Sequence, residues 1–270
     1  MVGTLARRGA RALVALPGFA ARRRPGDVVI LLYHRVREGP GEIDLPPRAF
    51  EQQLRYLVER DRVLSLEEAL ADGRGSDGGG RPAQGRGGVV VTFDDGYRDF
   101  VDAALPLLVR YRVPAVLYLA TGLVAEEGGG REGLSWSAIR EAVSTGLVAV
   151  GSHTHSHADL SRAGPEVCEE EMRRSKGLIE ERLGVACRHF AHPYAVTSPA
   201  ADRAARRHFD SAAPHAWRTN RRGRIDPYRL GRTPVLRSDG RALFRARVRG
   251  MLDGEALLYR VTRRGPWRPR

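Results

Sequence analysis

The stretch "VVVTFDDGYRDF", residues 89–100, joins a run typical of a buried strand to two adjacent carboxylates. Its β-branched and apolar residues 89–93 predict a strand covered on both faces, as in parallel sheets. Asp94 and Asp95 then stand at the carboxyl end, and Gly96 supplies a turn that ends the strand. Neighbouring strand residues point to opposite faces, so we predict separate roles for the two acids. One would bind a metal, and the other would lie beside the water bound to that metal. A glycosidase pair, which grips a sugar between two carboxyls, fits this adjacency poorly.

Apolar runs and helical patterns alternate along the chain on both sides of this stretch. Further strands are predicted at residues 28–34, 115–120, 147–153, 188–192, 210–213 and 232–236. Helices are predicted from an apolar face (Phe50, Leu54, Leu57, Val58), from a Ser65–Glu68 capping box, from Pro165 and Gly184 bounding residues 165–183, and from Ser198–Pro199. This alternation predicts an α/β fold with a largely parallel sheet.

Polar side chains follow four of the predicted strands at the point where each strand ends. They are His34, the Asp94–Asp95 pair, the histidines of "HTHSH" at 153, 155 and 157, and His192 with Tyr194. Active sites of α/β barrels and open α/β sheets lie beyond the carboxyl ends of the strands. A single histidine is more often structural than functional, but four such clusters together predict a site.

The "HTHSH" segment offers imidazoles in the spacing of a metal site. In a turn or helical conformation His153 and His157 share a face and His155 points elsewhere. With one aspartate they make a two-nitrogen, one-oxygen ligand set of the kind found in catalytic zinc sites. Cobalt, nickel or manganese also suit these ligands, and a histidine-rich surface turn is the structural alternative.

Arginine dominates the charge of this chain. The formal net charge is +13, and Lys176 is the single lysine. Arginine clusters at residues 22–24, 218–224 and 263–270 indicate either attraction to anionic glycans, membrane headgroups or nucleic acid, or a solvated arginine-rich surface. No basic stretch is interleaved with aromatic residues, so no specific nucleic-acid partner is predicted. Cys168 and Cys187 have no metal-site spacing and are interpreted as buried thiols.

The chain divides into three parts. Residues 1–26 are interpreted as a basic tail or membrane-peripheral segment, because the apolar stretch 12–20 is too short to span a bilayer. Residues 27–237 form the predicted single α/β domain, with a flexible glycine-rich loop at 72–88, and 238–270 a C-terminal helix and basic tail. A cytoplasmic or membrane-peripheral location is favoured, with a secreted or cell-envelope location as the alternative.

Together these motifs resemble the polysaccharide deacetylases, the NodB-homology or carbohydrate esterase family 4 proteins. "TFDDGYRD" at 92–99 matches the first family motif, "SHTHSH" at 152–157 the histidine motif, and "RHFAHPYA" at 188–195 the arginine to proline–tyrosine motif. "DPYRLGRTPV" at 226–235 looks like the closing segment. The resemblance spans about residues 28–237 and implies a distorted (β/α) barrel of about seven parallel strands.

The resemblance implies a role for each matching residue. Asp95, His153 and His157 would bind one divalent metal, most often zinc, and Asp94 would be the general base. Arg188 would pair with Asp94, and the Tyr194 backbone N–H would help to hold the oxyanion. The usual C-terminal histidine acid is absent, since no histidine follows His215. "LLYHRV" at 31–36 matches the relatives that carry this acid on the first strand, as poly-N-acetylglucosamine deacetylases do, and makes His34 the candidate.

Two positions depart from the third motif, where His192 replaces an aromatic residue and Ala195 a glycine. The implied function is metal-dependent removal of N-acetyl groups from an acetylated glycan or glycolipid-linked sugar. An O-acetyl carbohydrate esterase and a non-catalytic glycan-binding relative are the alternatives.

Overall fold

The computed structural model describes residues 23–73, 87–126, 132–216 and 218–252. Most of the predicted 72–88 loop and of both terminal segments lies outside these ranges, and the proposed division into parts and the location stay predictions. Within the described ranges, no helix has both the length and the apolar character needed to span a bilayer.

Parallel strands form the centre of the molecule. The strands are β1 (Val28–Tyr33), β2 (Arg35–Val36), β3 (Asp44–Leu45), β4 (Gly88–Phe93), β5 (Ala115–Leu119), β6 (Val148–Ser152), β7 (His189–Ala191), β8 (Ser211–Ala213), β9 (His215–Ala216) and β10 (Gly231–Pro234). The short β2 and β3 pair only with each other in the described structure, and the rest form one sheet. Each strand predicted from an apolar run is present, with ends shifted by one or two residues.

The sheet curls into a nearly closed barrel. Its strand order is β8-β7-β6-β5-β4-β1-β10-β9, so β8 and β9 lie at opposite ends of the hydrogen-bonded series. Yet only Pro214 separates β8 from β9 in the chain. The two short strands therefore act as one broken strand that pairs with β7 on one side and β10 on the other. This confirms the predicted distorted (β/α) barrel of about seven parallel strands.

Helices surround the barrel, and the described ones are α1 (Pro47–Arg60), α2 (Leu66–Gly73), α3 (Leu105–Tyr111) after a π-helical turn, α4 (Trp136–Ser144), α5 (Pro165–Leu183), α6 (Pro199–His208) and α7 (Gly240–Val248). The capping box is confirmed, since the Ser65 N–H donates to the Glu68 carboxylate and the Glu68 N–H to Ser65 Oγ. Gly184 ends α5 in the left-handed conformation, as its position predicts.

Alternate strand residues build two apolar cores. Val29, Leu31 and Tyr33 of β1 pack outward against α1 and other helices. Val28 and Ile30 join a smaller inner cluster, into which α2 inserts to close the amino end of the barrel. The α1 face is confirmed except at Val58, which is 41% exposed because it lies at the edge of the buried stripe.

Candidate metal centre

Three predicted ligands converge at the carboxyl end of the barrel. Nε2 of His157 lies 3.1 Å and Nε2 of His153 lies 3.5 Å from Oδ1 of Asp95. One ligand atom from each residue falls within 4.8 Å of the others. Asp95 comes from the end of β4, and the histidines come from the end of β6 and the loop after it. The barrel thus joins residues about 60 positions apart in the chain.

Left-handed backbone conformations produce this convergence. Among described residues other than glycine, positive φ angles occur at Asp95, Thr154, His157, Tyr194 and Ala195, all at this site, and at Arg112, which ends α3. The turn after β4 begins at Asp95 itself, with φ 74°, and continues through Gly96. His153 and His157 meet through turns, without helical geometry between them. Such strain persists only where surrounding structure enforces it, and it concentrates at functional sites.

Burial and neighbouring charges set the protonation states of these side chains, and those states suit binding of a cation. Burial lowers the pKa of His153 to about 4, although both neighbouring aspartates oppose this, so the ring is neutral near pH 7. Its Nδ1 lies 2.8 Å from the Ala191 carbonyl oxygen, so Nδ1 carries the proton and Nε2 offers its lone pair to the site. Burial opposes ionisation of Asp95, but His157 and the other histidines hold the pKa of Asp95 well below its usual range. The same carboxylate raises the pKa of His157 despite partial burial of the ring.

The ligand atoms fit a divalent metal. Oδ1 of Asp95 is buried and makes no hydrogen bond of good geometry, although His157 is close to it. A tetrahedral site with bonds of about 2.1 Å separates its ligands by about 3.4 Å, close to the two distances above. A buried anionic oxygen aimed between two imidazoles is costly unless a cation or proton lies there. Asp95, His153 and His157 would therefore hold the metal, with further positions open.

Asp94 is held by an arginine that the sequence did not predict. Both carboxylate oxygens accept hydrogen bonds from Arg232 of β10, at 2.6 and 2.8 Å, and both residues are buried. Burial alone would raise the pKa of Asp94, but the Arg232 guanidinium, and then His153, hold that pKa below its ordinary value. The Tyr118 ring lies 5.2 Å from the guanidinium and supports it. Gly151 makes room for that ring, since a Cβ there would lie 2.6 Å from it.

The prediction that Arg188 pairs with Asp94 is wrong. Arg188 precedes β7 and so lies at the amino end of the barrel, whereas Asp94 follows β4 at the carboxyl end. Its side chain is 63% exposed and lies 3.6 Å from Asp210. Arg232 reaches Asp94 because it points into the barrel beside Ile30 and its long side chain extends towards the carboxyl end. An arginine within a predicted strand of a buried sheet was the available signal.

His34 and Tyr194 lie next to the ligand set. His34 follows β1, which pairs with β4 so that Tyr33 is opposite Phe93, and the imidazole therefore adjoins Asp94. Its charge contributes to lowering the pKa of both Asp94 and Asp95. The Tyr194 hydroxyl lies 3.2 Å from Nδ1 of His157 and can orient that ring. The acid role of His34 and the oxyanion role of the Tyr194 N–H stay predictions.

Two further histidines take separate positions. His155 turns away from the site, as the spacing predicts, with Nδ1 2.9 Å from Thr121 Oγ1. His192 is fully buried against Phe190, and neither ring nitrogen has a hydrogen-bond partner. Burial lowers the pKa of His192 to about 3, so the neutral ring fills the aromatic slot of the third motif.

The chain is similar to known deacetylases in both sequence and fold. It is 26% identical over 155 residues to the poly-β-1,6-N-acetyl-D-glucosamine N-deacetylase of Staphylococcus aureus, a match that covers 54% of this chain and 51% of that protein. The chain thus spans about half the length of the curated relatives it matches.

Two solved structures share the fold. The IcaB structure from Ammonifex degensii is 28% identical with a TM-score of 0.68, over 80% of this chain and 94% of that one. The Streptococcus pyogenes deacetylase PplD, in complex with acetate, is 24% identical with a TM-score of 0.71, over 83% of this chain and 99% of that one.

A family model matches the centre of the chain. It is described as polysaccharide deacetylase and covers residues 81–209, which include the first acid pair, the histidine motif and Tyr194. Over these residues the chain is similar to the polysaccharide deacetylase family.

Proposed function

We propose that this protein is a metal-dependent deacetylase that hydrolyses N-acetyl groups on an amino-sugar polysaccharide. The observation that carries the proposal is the convergence of Asp95, His153 and His157 on one point, beside an Asp94 carboxylate tethered by Arg232. A bound divalent cation would polarise the acetyl carbonyl and lower the pKa of water from about 15.7 towards about 7. Zinc is the first choice for this ligand set, with cobalt, nickel or manganese as alternatives.

The residues of the chain divide the proton transfers. Asp94 stays ionised because Arg232 compensates its burial, and each of its oxygens keeps a second lone pair to take a proton from water. Water oxygen adds to the acetyl carbon, and the bond from that carbon to the sugar nitrogen then breaks. His34 donates a proton to the departing nitrogen, which leaves as a free amine while acetate forms. The Tyr194 hydroxyl keeps the His157 ring oriented.

The relatives support a glycan substrate. The Staphylococcus aureus relative acts, by its name, on poly-β-1,6-N-acetyl-D-glucosamine. The resemblance of "LLYHRV" at 31–36 to deacetylases of that type implies the acid role of His34. We therefore infer a linear polymer of N-acetylated hexosamine as the substrate class. The amine that leaves from an amide depends on protonation by an acid more strongly than the alcohol that leaves from an ester. The presence of a candidate acid, His34, therefore favours N-deacetylation.

The test is acetate release from β-1,6-linked N-acetylglucosamine oligomers by the full chain, with acetylated xylan as the ester alternative. We expect chelation to abolish release and added Zn²⁺ to restore it. Asp94→Asn should lower kcat by about 10²–10⁴-fold with the metal still bound. Asp210→Asn, which changes an exposed carboxylate beside Arg188, is the matched control and should leave kcat unchanged. Full activity after metal removal, or in Asp94→Asn, would refute the proposal, and release from xylan alone would assign an esterase.

A further inference from the structure

A groove of about 950 Å³ runs between α1 and α7 on the outside of the barrel. Six exposed arginines border it, and we call it the arginine groove: Arg55, Arg60, Arg237, Arg241, Arg245 and Arg249. A seventh, Arg23, lies at one end and is paired with Asp61 at 2.6 Å. The groove is separate from the candidate metal centre, which lies at the carboxyl ends of the strands.

Arginine is enriched here beyond the composition of the chain. Seven of the seventeen described residues that line the groove are arginine, whereas 44 of the 270 residues in the chain are. Acids are not enriched, since Glu59 and Asp61 are the only acids among the described residues that line the groove. An arginine-rich composition by itself does not explain this concentration.

Among the described residues, most guanidinium groups of the arginine groove have no carboxylate partner, with the exception of Arg55, which interacts with Tyr111, Glu51 and Glu59. Arg241 donates to the amide oxygen of Gln52, and Arg245 lies 5.3 Å from the centre of the Tyr56 ring, so neither partner carries a charge. Arg60, Arg241, Arg245 and Arg249 pair with no carboxylate of the described ranges. Guanidinium groups that face one another across a concave surface repel until an anion enters between them.

We propose that the arginine groove binds a linear, base-free polyanion that bears phosphate groups, such as a polyphosphate or a glycan or polyol phosphate. Its shape favours a chain over a membrane, because a flat bilayer would meet the helix ridges and leave the recess empty. The wall formed by α1 has 14 residues and is about 21 Å long, enough for several repeat units. Arginine is suited to phosphate because its planar fork binds two oxygens at once.

The aromatic residues of the groove are poorly placed to bind nucleic acid. Phe244 is buried, and the Tyr56 ring is occupied by Phe244 on one side and by Arg245. Proteins that bind single strands need open aromatic faces on which bases stack.

The ends of this chain are poor occupants on grounds of charge. Residues 1–22 contain four arginines and no acid, and residues 253–270 contain five arginines and two acids. Both segments would add positive charge to a positive groove.

The test measures binding of inorganic polyphosphate to the full chain by titration calorimetry, repeated at several salt concentrations. Arg241→Gln with Arg245→Gln removes two charges from the groove and keeps helix-forming residues. We expect binding to weaken at least about tenfold, and the slope of log affinity against log salt to fall by about 1.4. Arg174→Gln with Arg203→Gln, two exposed arginines on α5 and α6, is the charge-matched control and should change neither.

Several results would overturn the proposal. One is that polyphosphate does not bind, and another is that the control pair weakens polyphosphate binding as much as the groove pair does. The others are that oligothymidylate binds the groove more tightly than polyphosphate does, or that anionic vesicles bind through the groove while polyphosphate does not bind. Binding should survive chelation and Asp94→Asn, and acetate release from short oligomers should survive the groove substitutions. Failure of the groove and failure of the deacetylase proposal are therefore distinguishable.

Discussion

Histidine–carboxylate clusters lie at both ends of the barrel, and they differ in how completely their polar atoms are satisfied. At the amino end, Nδ1 of His189 lies 2.9 Å from Ser211 Oγ and Nε2 lies 3.0 Å from Glu67. At the carboxyl end, Nε2 of His153 faces Oδ1 of Asp95, which is buried without a hydrogen bond. Both clusters combine imidazole and carboxylate. Only the second leaves lone pairs that converge on an open point, so residue types alone do not identify a metal centre.

The two ends of the barrel also differ in backbone strain. Left-handed residues other than glycine gather around the carboxyl-end cluster, whereas His189 and Ser211 belong to regular strands. The amino-end cluster is thus compatible with ordinary β geometry and adds stability. The carboxyl-end cluster costs conformational energy, which the rest of the barrel offsets.

Removing one nitrogen from each cluster should separate metal binding from stability. His153→Asn keeps a donor at the Nδ1 position but loses Nε2, so we expect metal affinity to fall at least about 100-fold and acetate release to disappear. His189→Asn makes the same change at the amino end and should leave the metal content at the wild-type level. Metal analysis after equilibrium dialysis measures both. Equal metal loss in the two variants would contradict the assignment of the site.

The two arginines proposed for Asp94 should differ greatly in their contribution to stability. Arg232→Gln leaves a buried carboxylate without its countercharge, and we expect the free energy of unfolding to fall by about 3–5 kcal/mol. Arg188→Gln alters an exposed side chain and should change it by less than about 0.5 kcal/mol. Urea unfolding at neutral pH compares them. A larger loss in Arg188→Gln would restore the pairing predicted from the motif.

Acid titration should identify the amino-end pair as structural. The His189 hydrogen bond, against partial burial, lowers the pKa of Glu67 from 4.5 to about 2. A lowered folded-state pKa gives stability that is fully present above pH 4.5 and lost as the pH falls towards 2. Glu67→Gln should therefore be less stable than wild type at pH 7, by under about 1 kcal/mol because the carboxylate is half exposed, and the difference should shrink by pH 3. Unchanged acetate release at pH 7 is the control. A constant difference across the pH range would exclude the ionic contribution.

The smallest effect concerns strain at the third motif. Ala195 has φ 52°, a conformation that glycine adopts without a Cβ penalty. We expect Ala195→Gly to raise the free energy of unfolding by up to about 0.5 kcal/mol, since relief of strain exceeds the added entropy of the unfolded chain. Ala138→Gly in α4 should instead lower it by about 0.5–1 kcal/mol. Destabilisation by Ala195→Gly would show that the loop holds this conformation without strain.

The local parts of the fold were predictable because their signals lie within a few residues. Apolar runs placed the strands of the barrel, and the capping signals of Ser65 and Gly184 placed helix ends correctly. The acids and histidines of the candidate site were identified because each follows a strand end. That rule needs no long-range information once the strands are known to be parallel.

The partner of Asp94 was not predictable in this way. The "RHFAHPY" motif pointed to Arg188, but the direction of β7 places that residue at the wrong end of the barrel. Arg232 is 138 residues from Asp94 in the chain. Arg232 can reach Asp94 only because β10 lies beside β1 and the Arg232 side chain points into the barrel.

The amino-acid sequence by itself determined an α/β fold with a largely parallel sheet and the side chains able to bind a cation, because strand pattern and residue type are local properties. The tertiary structure decided which arginine holds Asp94, which histidine–carboxylate cluster keeps its lone pairs open, and where arginines of α1 and α7 face each other. These outcomes depend on distances between segments far apart in sequence. Such distances exist only once the barrel closes and burial makes every unpaired charge costly.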